Sequence, residues 1–391
     1  MKKFCKPNRL FIILLACVQL LLSAALYGCA DEIAAPPDDS VRYAHEPTTN
    51  VMQYQSAVCW NQYVVTSGGT IYNRATGEVR DDFCTDETCE GDCYLERSIL
   101  RVETVADGKV YFTLRRSARE GIRYCSYDLQ SGQIMELVCI DYKDRAGSAI
   151  FVDNGWMYYT RGVNVPLQTG GTSYGIAICR IPVEGGESEQ VYTIDHAKVP
   201  YLIKDGNMYT MSDDVLLQIK IASGKQTTLA SLEDAPIRSV VRMDYVDGRI
   251  LLFGYYSYNT TLQMVITIDV ASGTWHEMVD VPVANYYIEQ DTVYFLPCED
   301  RLIGGADSDH PTYASVSATL YACDLDGGNI RPIWTDKSGR LDYSDYYAVV
   351  DGIIYAWIRE YDPETQAYTE SYFAEIRTKT DEIIPATVVN K

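Results

Sequence analysis

Asp107-Gly108-Lys109-Val110-Tyr111-Phe112 joins a two-residue turn signal to an apolar, aromatic strand. Asp-Gly between alternating apolar runs is a strong hairpin signal, because both central turn residues need positive φ. The phrase returns at Asp153-Asn154-Gly155-Trp156-Met157-Tyr158, Asp205-Gly206-Asn207-Met208-Tyr209 and Asp247-Gly248-Arg249-Ile250-Leu251. Weaker copies stand at Asn61-Gln62-Tyr63-Val64-Val65, Gln290-Asp291-Thr292-Val293-Tyr294-Phe295 and Asp351-Gly352-Ile353-Ile354-Tyr355. Seven copies at a period of about forty to sixty residues, built from strands, are the signature of a β-propeller.

A second turn recurs between these copies and ends on Gly77, Gly132, Gly186, Gly224, Gly273 and Gly328. Its lead-ins include Asp128-Leu129-Gln130-Ser131 and Asp269-Val270-Ala271-Ser272, where the aspartate can bond its own backbone across the turn. Two turns per unit imply four strands; in the second unit these are Arg101–Ala106, Lys109–Leu114, Gly121–Asp128 and Gln133–Ile140. A β-sandwich has no need of the same two turns in the same order seven times. Beyond the N-terminus no window sustains apolar 3.6-residue periodicity, so helices should be nearly absent. The expected fold is all-β: a seven-bladed propeller of four-stranded antiparallel blades over residues 51–391.

The N-terminus reads as an address. Lys2, Lys3, Lys6 and Arg9 form a basic region, and Leu10 to Ala25 an apolar core too short for a dedicated membrane span. Leu26-Tyr27-Gly28-Cys29 then resembles a bacterial lipobox, with residues 1–28 as signal peptide and Cys29 as the acylated residue. Residues 29–50, with Pro36-Pro37 and Glu46-Pro47, read as a polar tether. Part of Val41 to Tyr54 is a candidate extra or closing strand. The expected location is the extracytoplasmic face of a bacterial cell membrane, held through the lipid anchor only.

The formal charge is −21, and −25 once the four basic leader residues are removed. Such a surface repels nucleic acid and anionic membranes, so neither is an expected direct partner. Tyrosine supplies 32 of 391 residues, most of them suited to strands with a buried ring and a wet hydroxyl. Cys84, Cys89 and Cys93 cluster in one loop. Their spacing lacks the Cys-x-x-Cys pair of a structural zinc site and no fourth ligand is near, so a disulfide ranks ahead of free thiols and of metal. No metal or cofactor is expected. Cys125, Cys179 and Cys323 share one strand position by parity and read as small buried hydrophobes.

The blade grammar is similar to the YWTD-type propeller of lipoprotein-receptor proteins, as in Met157-Tyr158-Tyr159-Thr160 followed by a strand and a Gly-Gly turn. Lipobox, tether, seven blades and an early cysteine cluster together resemble propeller lipoproteins of anaerobic Gram-positive bacteria. In that group the cluster tends to read Cys-x-Asp-Pro-x-Cys-x-His. Here Cys84-Thr85-Asp86-Glu87-Thr88-Cys89 keeps the frame, with Glu87 in place of proline and Gly91 in place of histidine. The resemblance implies a fold and no known reaction.

Strand order sorts the connections by face. The tight turns after first and third strands lie on one side, the remaining connections on the other. The longest of these, Arg161 to Ser173, Glu299 to Ser315 and Arg359 to Thr369, read as irregular loops on that second side, where binding usually sits. Arg161, Asp307, Asp309, His310, Tyr313, Tyr361 and Tyr368 are the candidate ligand-binding residues, for an unknown protein, peptide or glycan. Asp307-Ser308-Asp309-His310 lacks the rest of a calcium loop and reads as an exposed acidic loop. With only four histidines, one of them in the tether, and no nucleophile–base pair apparent, no catalytic residue is assigned and a non-catalytic binding module is favoured. An envelope scaffold, or a glycan-active hydrolase or lyase with paired carboxylates, stands as the alternative.

Overall fold

A computed structural model describes residues 57–80, 83, 95, 99–115, 121–166, 171–195, 202–255, 262–303, 312–316, 318–337, 341–342, 347–362, 365 and 367–388. The signal peptide, Cys29, the tether, Val41 to Tyr54 and Cys84, Cys89 and Cys93 lie outside the described residues. These residues form seven antiparallel blades, each with a complete four-strand path. Blade two runs Ile99–Ala106, Lys109–Arg115, Ile122–Asp128 and Ile134–Ile140, close to the strands read from sequence. First strands of neighbouring blades touch around the disc, except that the first strand of blade six, Val283–Glu289, meets the third strand of blade five, Gln263–Asp269; the first strand of blade seven, Tyr347–Val350, touches that of blade one, Ala57–Trp60. The ring is thus a closed seven-bladed propeller. The one described helix is the single 3-10 turn Tyr142–Asp144.

The turn chemistry explains why the blades recur. Asp107-Gly108, Asn154-Gly155, Asp205-Gly206, Asp247-Gly248 and Asp351-Gly352 each place two consecutive residues at positive φ. That geometry matches the twist of the flanking strands and is open mainly to Gly, Asn and Asp. In the remaining two copies only Asn61 and Gln290 are left-handed. The second turn is equally regular: the amide nitrogens of Gly77, Gly132, Gly224 and Gly273 each donate to the carbonyl four residues back, at 2.8 Å. Two details differ from the sequence reading. In blade six the left-handed residues are Gly327 and Asn329, not Gly328. Blade seven makes the same turn without glycine, using Asp381 at φ 59°, whose amide donates to Arg377 O at 2.9 Å.

Side chains tie blade to blade through these turns. The Asp153 carboxylate, 4 % exposed, accepts the amides of Asp205 and Gly206 at 3.1 and 2.9 Å, joining blade three to blade four. Glu289 holds the matching position in blade six and accepts the Asp351 amide of blade seven at 3.2 Å. Between these polar struts the contacts are apolar. Cys125, Cys179 and Cys323 fill buried third-strand positions, as expected from their parity. Burial pushes the Cys59 and Cys323 thiols up to about 12, so neither is a thiolate nucleophile at neutral pH.

Closure comes from the C-terminal end. Thr387–Val388 pairs in parallel with Glu78–Arg80, adding a fifth, outermost strand to blade one. The Thr387 amide donates to Gly77 O at 2.9 Å.

Candidate functional site

Where they are described, the three long connections are paired strands, not irregular loops. In blade three, Trp156–Pro166 and Thr172–Pro182 stay paired out to Pro166 opposite Thr172. In blade six, Thr292–Ile303 pairs with Thr312–Val316 beyond the blade proper. In blade seven, Ile353–Asp362 and Ala367–Arg377 stay paired to Asp362 opposite Ala367, and Leu341–Asp342 adds a third strand beside Glu360 and Arg359. Each connection is therefore a β-ribbon arm that continues the second and third strands of its blade. The period-2 pattern Arg161-Gly162-Val163-Asn164-Val165 fits strand structure; the loop reading rests on the length of the connection.

Strand parity then separates the candidate residues. Arg161 shares a face with Met157 and Tyr159, which pack against blade two. Its Nη2 donates to Gln190 Oε1 at 3.2 Å on the outer strand of its own blade. Arg161 therefore sits at the arm's base, on the face toward blade two, and bonds to the outer strand of its own blade. Tyr361 and Tyr368 come together as direct cross-strand partners in the arm of blade seven. Tyr313 is paired with Leu302 in the arm of blade six. Asp307, Asp309 and His310 lie outside the described residues.

One arm residue escaped the sequence reading. Tyr174, opposite Asn164, lies on the face of the blade-three arm away from Arg161 and is 49 % exposed. Its ring covers Gly162: a Cβ there would meet Tyr174 Cε2 at 2.7 Å. Val165 covers Gly175 in the same way on the other face, at 2.4 Å. Each glycine makes room for a large side chain from the facing strand, a known means of stiffening a ribbon. The signal was present as two glycines diagonal to Tyr174 and Val165, but it is visible only once the register is fixed. In the arm of blade seven, Trp357 Nε1 donates to Ser371 Oγ at 2.9 Å and Tyr372 Oη to Glu360 Oε1 at 2.9 Å. These bonds likewise hold aromatic side chains in fixed positions.

No protein-family model matches this sequence, and no curated protein matches it. Among solved structures the chain is similar to YjhT, at 12 % identity over 72 % of this chain and 95 % of that one, with a TM-score of 0.43. It is similar to oligogalacturonate lyase from Vibrio parahaemolyticus, at 9 % identity over 83 % and 90 % of the two chains, with a TM-score of 0.44. A third similarity is to acylaminoacyl peptidase from Pyrococcus horikoshii, at 13 % identity over 88 % and 52 %, with a TM-score of 0.49. This chain spans about half the length of that peptidase. These are likenesses of fold, and nothing about activity follows from them.

Proposed function

We propose that this propeller is a non-catalytic binding module, held by a lipid anchor at the extracytoplasmic face of a bacterial membrane, and that its ribbon arms carry the ligand. The supporting observation is Tyr174, a half-exposed ring set rigidly over Gly162 on an arm that rises from a closed scaffold. A fixed aromatic face offers stacking area at little entropic cost, whether the ligand is a glycan or a peptide side chain. The first described strand, Ala57–Trp60, runs toward the turn at Asn61, so its start lies on the arm face. A tether from Cys29 would join the disc on that face and present the arms toward the envelope surface.

The test is a glycan and peptide array probed with the mature protein, followed by titration of any hit. Tyr174→Ala is expected to weaken binding by about 1–3 kcal/mol and to leave the melting temperature unchanged. Gly162→Val, which forces the ring off its seat, should reproduce the loss. Binding unaffected by either change, or turnover of a glycan or peptide, would overturn the reading. For the anchor, Cys29→Ala is expected to move the protein out of the membrane fraction or leave it unprocessed. Unchanged mass and partitioning would remove the lipoprotein part of the proposal and leave the binding part standing.

A further inference from the structure

The apolar interface between blades two and three carries a group of buried hydroxyls among its contacts. Thr104 and Tyr111 are cross-strand partners on the face of blade two that meets blade three, both fully buried. Tyr124 lies on the same face, one two-residue step nearer the arms, opposite Thr113. Its ring sits 5.3 Å from that of Tyr159 across the seam. Glu103, displaced by a bulge in the first strand, adds a buried carboxylate that accepts from Thr113 Oγ1 at 3.4 Å. Arg161 closes the arm end of the seam from blade three.

Thr104 Oγ1, Tyr111 Oη, Tyr124 Oη and Arg161 Nε are all buried, and none has a hydrogen-bond partner among the described residues. Four of the eight such atoms in the described structure thus fall in this one seam. Buried polar groups left bare are expensive, and four together would rival the net stability of a typical domain. Native interiors resolve this with ordered water, which usually makes about three hydrogen bonds to such groups.

We infer that the seam between blades two and three is a built water site, in which ordered water links Thr104, Tyr111 and Tyr124 to Arg161 at the base of the arm. Hydroxyls that can each donate and accept fit water better than a fixed anion. The buried Glu103 carboxylate also disfavours an anion there. The seam between blades three and four contrasts with this one: it is an apolar cluster with the Asp153 strut and holds none of the eight atoms.

The sign of a stability change tests the inference. Tyr111→Phe, Tyr124→Phe and Thr104→Val each remove a hydroxyl at nearly constant volume. If water satisfies these groups, each change strands a water partner, and the melting temperature should fall by a few degrees. If the hydroxyls are dry and unpaired, removing them relieves a penalty and the melting temperature should rise, which would overturn the proposal. A crystal structure of the mature protein, with ordered water sought within hydrogen-bond distance of Tyr111 Oη and Tyr124 Oη, gives an independent reading. Water at both hydroxyls supports the site, and well-defined density without water at either refutes it. Near-ultraviolet dichroism matching the parent protein confirms that each variant keeps its packing.

Discussion

Arg242→Met is expected to cost about 3–5 kcal/mol of stability, the magnitude typical of breaking a buried ion pair from one side. Arg242 and Asp244 lie on the first strand of blade five, Ser239–Val246, with neither side chain exposed. Arg242 Nε sits 2.6 Å from Asp244 Oδ2, and the guanidinium lies 4.0 Å over the ring of Tyr286 in blade six. Arg242 Nη1 donates to Tyr286 O at 3.1 Å, while the Tyr286 hydroxyl donates to Asp244. Losing the arginine leaves the fully buried Asp244 carboxylate without its counter-charge. Asp244→Leu alone should be similarly damaging, since it strands the guanidinium. The double change Arg242→Met with Asp244→Leu is expected to recover most of the loss, because a dry apolar seam avoids both desolvation penalties. Denaturant unfolding of the three variants measures the cycle. Additive losses in the double variant would show that the two residues act separately and that the pair is not the unit.

That pair also marks the limit of what the sequence discloses. Val241-Arg242-Met243-Asp244-Tyr245 alternates as a half-solvated strand would, with its charges toward water. A bulge between Val240 and Arg242 shifts the register, and the charged face meets the neighbouring blade. No local signal tells which face of a propeller blade looks at another blade, since both do. The turns were legible for the opposite reason. Their left-handed residues are dictated locally by backbone sterics, so Asp205-Gly206 or Asp247-Gly248 announces itself without tertiary context. Where side-chain bonding replaced glycine, the signal vanished. Asp381 is held at positive φ while its carboxylate accepts Trp334 Nε1 at 2.8 Å and Lys337 Nζ at 2.5 Å from blade six. The arms fall between these cases. Their side was read correctly from strand order, but their regular pairing was hidden by the length of the connections. Arg161, at the base of its arm, lies by parity on the face toward blade two, which its charge alone does not reveal. A ligand's identity leaves still less trace, because it depends on which exposed side chains converge.

The second large effect is expected at the ring's closure, where Arg74→Ala should cost about 2–4 kcal/mol through the loss of several charge-assisted hydrogen bonds. Arg74 belongs to the second turn of blade one, yet its side chain is only 4 % exposed and points into blade seven. Nε donates to Tyr355 Oη at 3.0 Å, Nη1 to Asn61 O at 3.2 Å, and Nη2 to Asp351 Oδ2 at 3.0 Å. Below it, Tyr72 of blade one packs 5.5 Å from Tyr355 and 5.1 Å from Phe373, and donates to Glu375 Oε2 at 3.3 Å. The Thr387–Val388 strand also spans this junction, but it is two exposed residues on an outer edge. Most of the closing free energy should therefore reside in Arg74 and the aromatic contacts beneath it. Removing residues 387–391 is expected to cost about 1 kcal/mol or less, the worth of a hydrogen bond or two at a solvated edge. Because a closed ring leaves no blade with a free side, the Arg74 variant should still unfold in one transition, at a lower denaturant midpoint and with an unchanged slope. A tail deletion that destabilises more than Arg74→Ala would place the clasp in the fifth strand of blade one. Separate transitions in the Arg74 variant would show that this junction, once weakened, lets the ring open blade by blade.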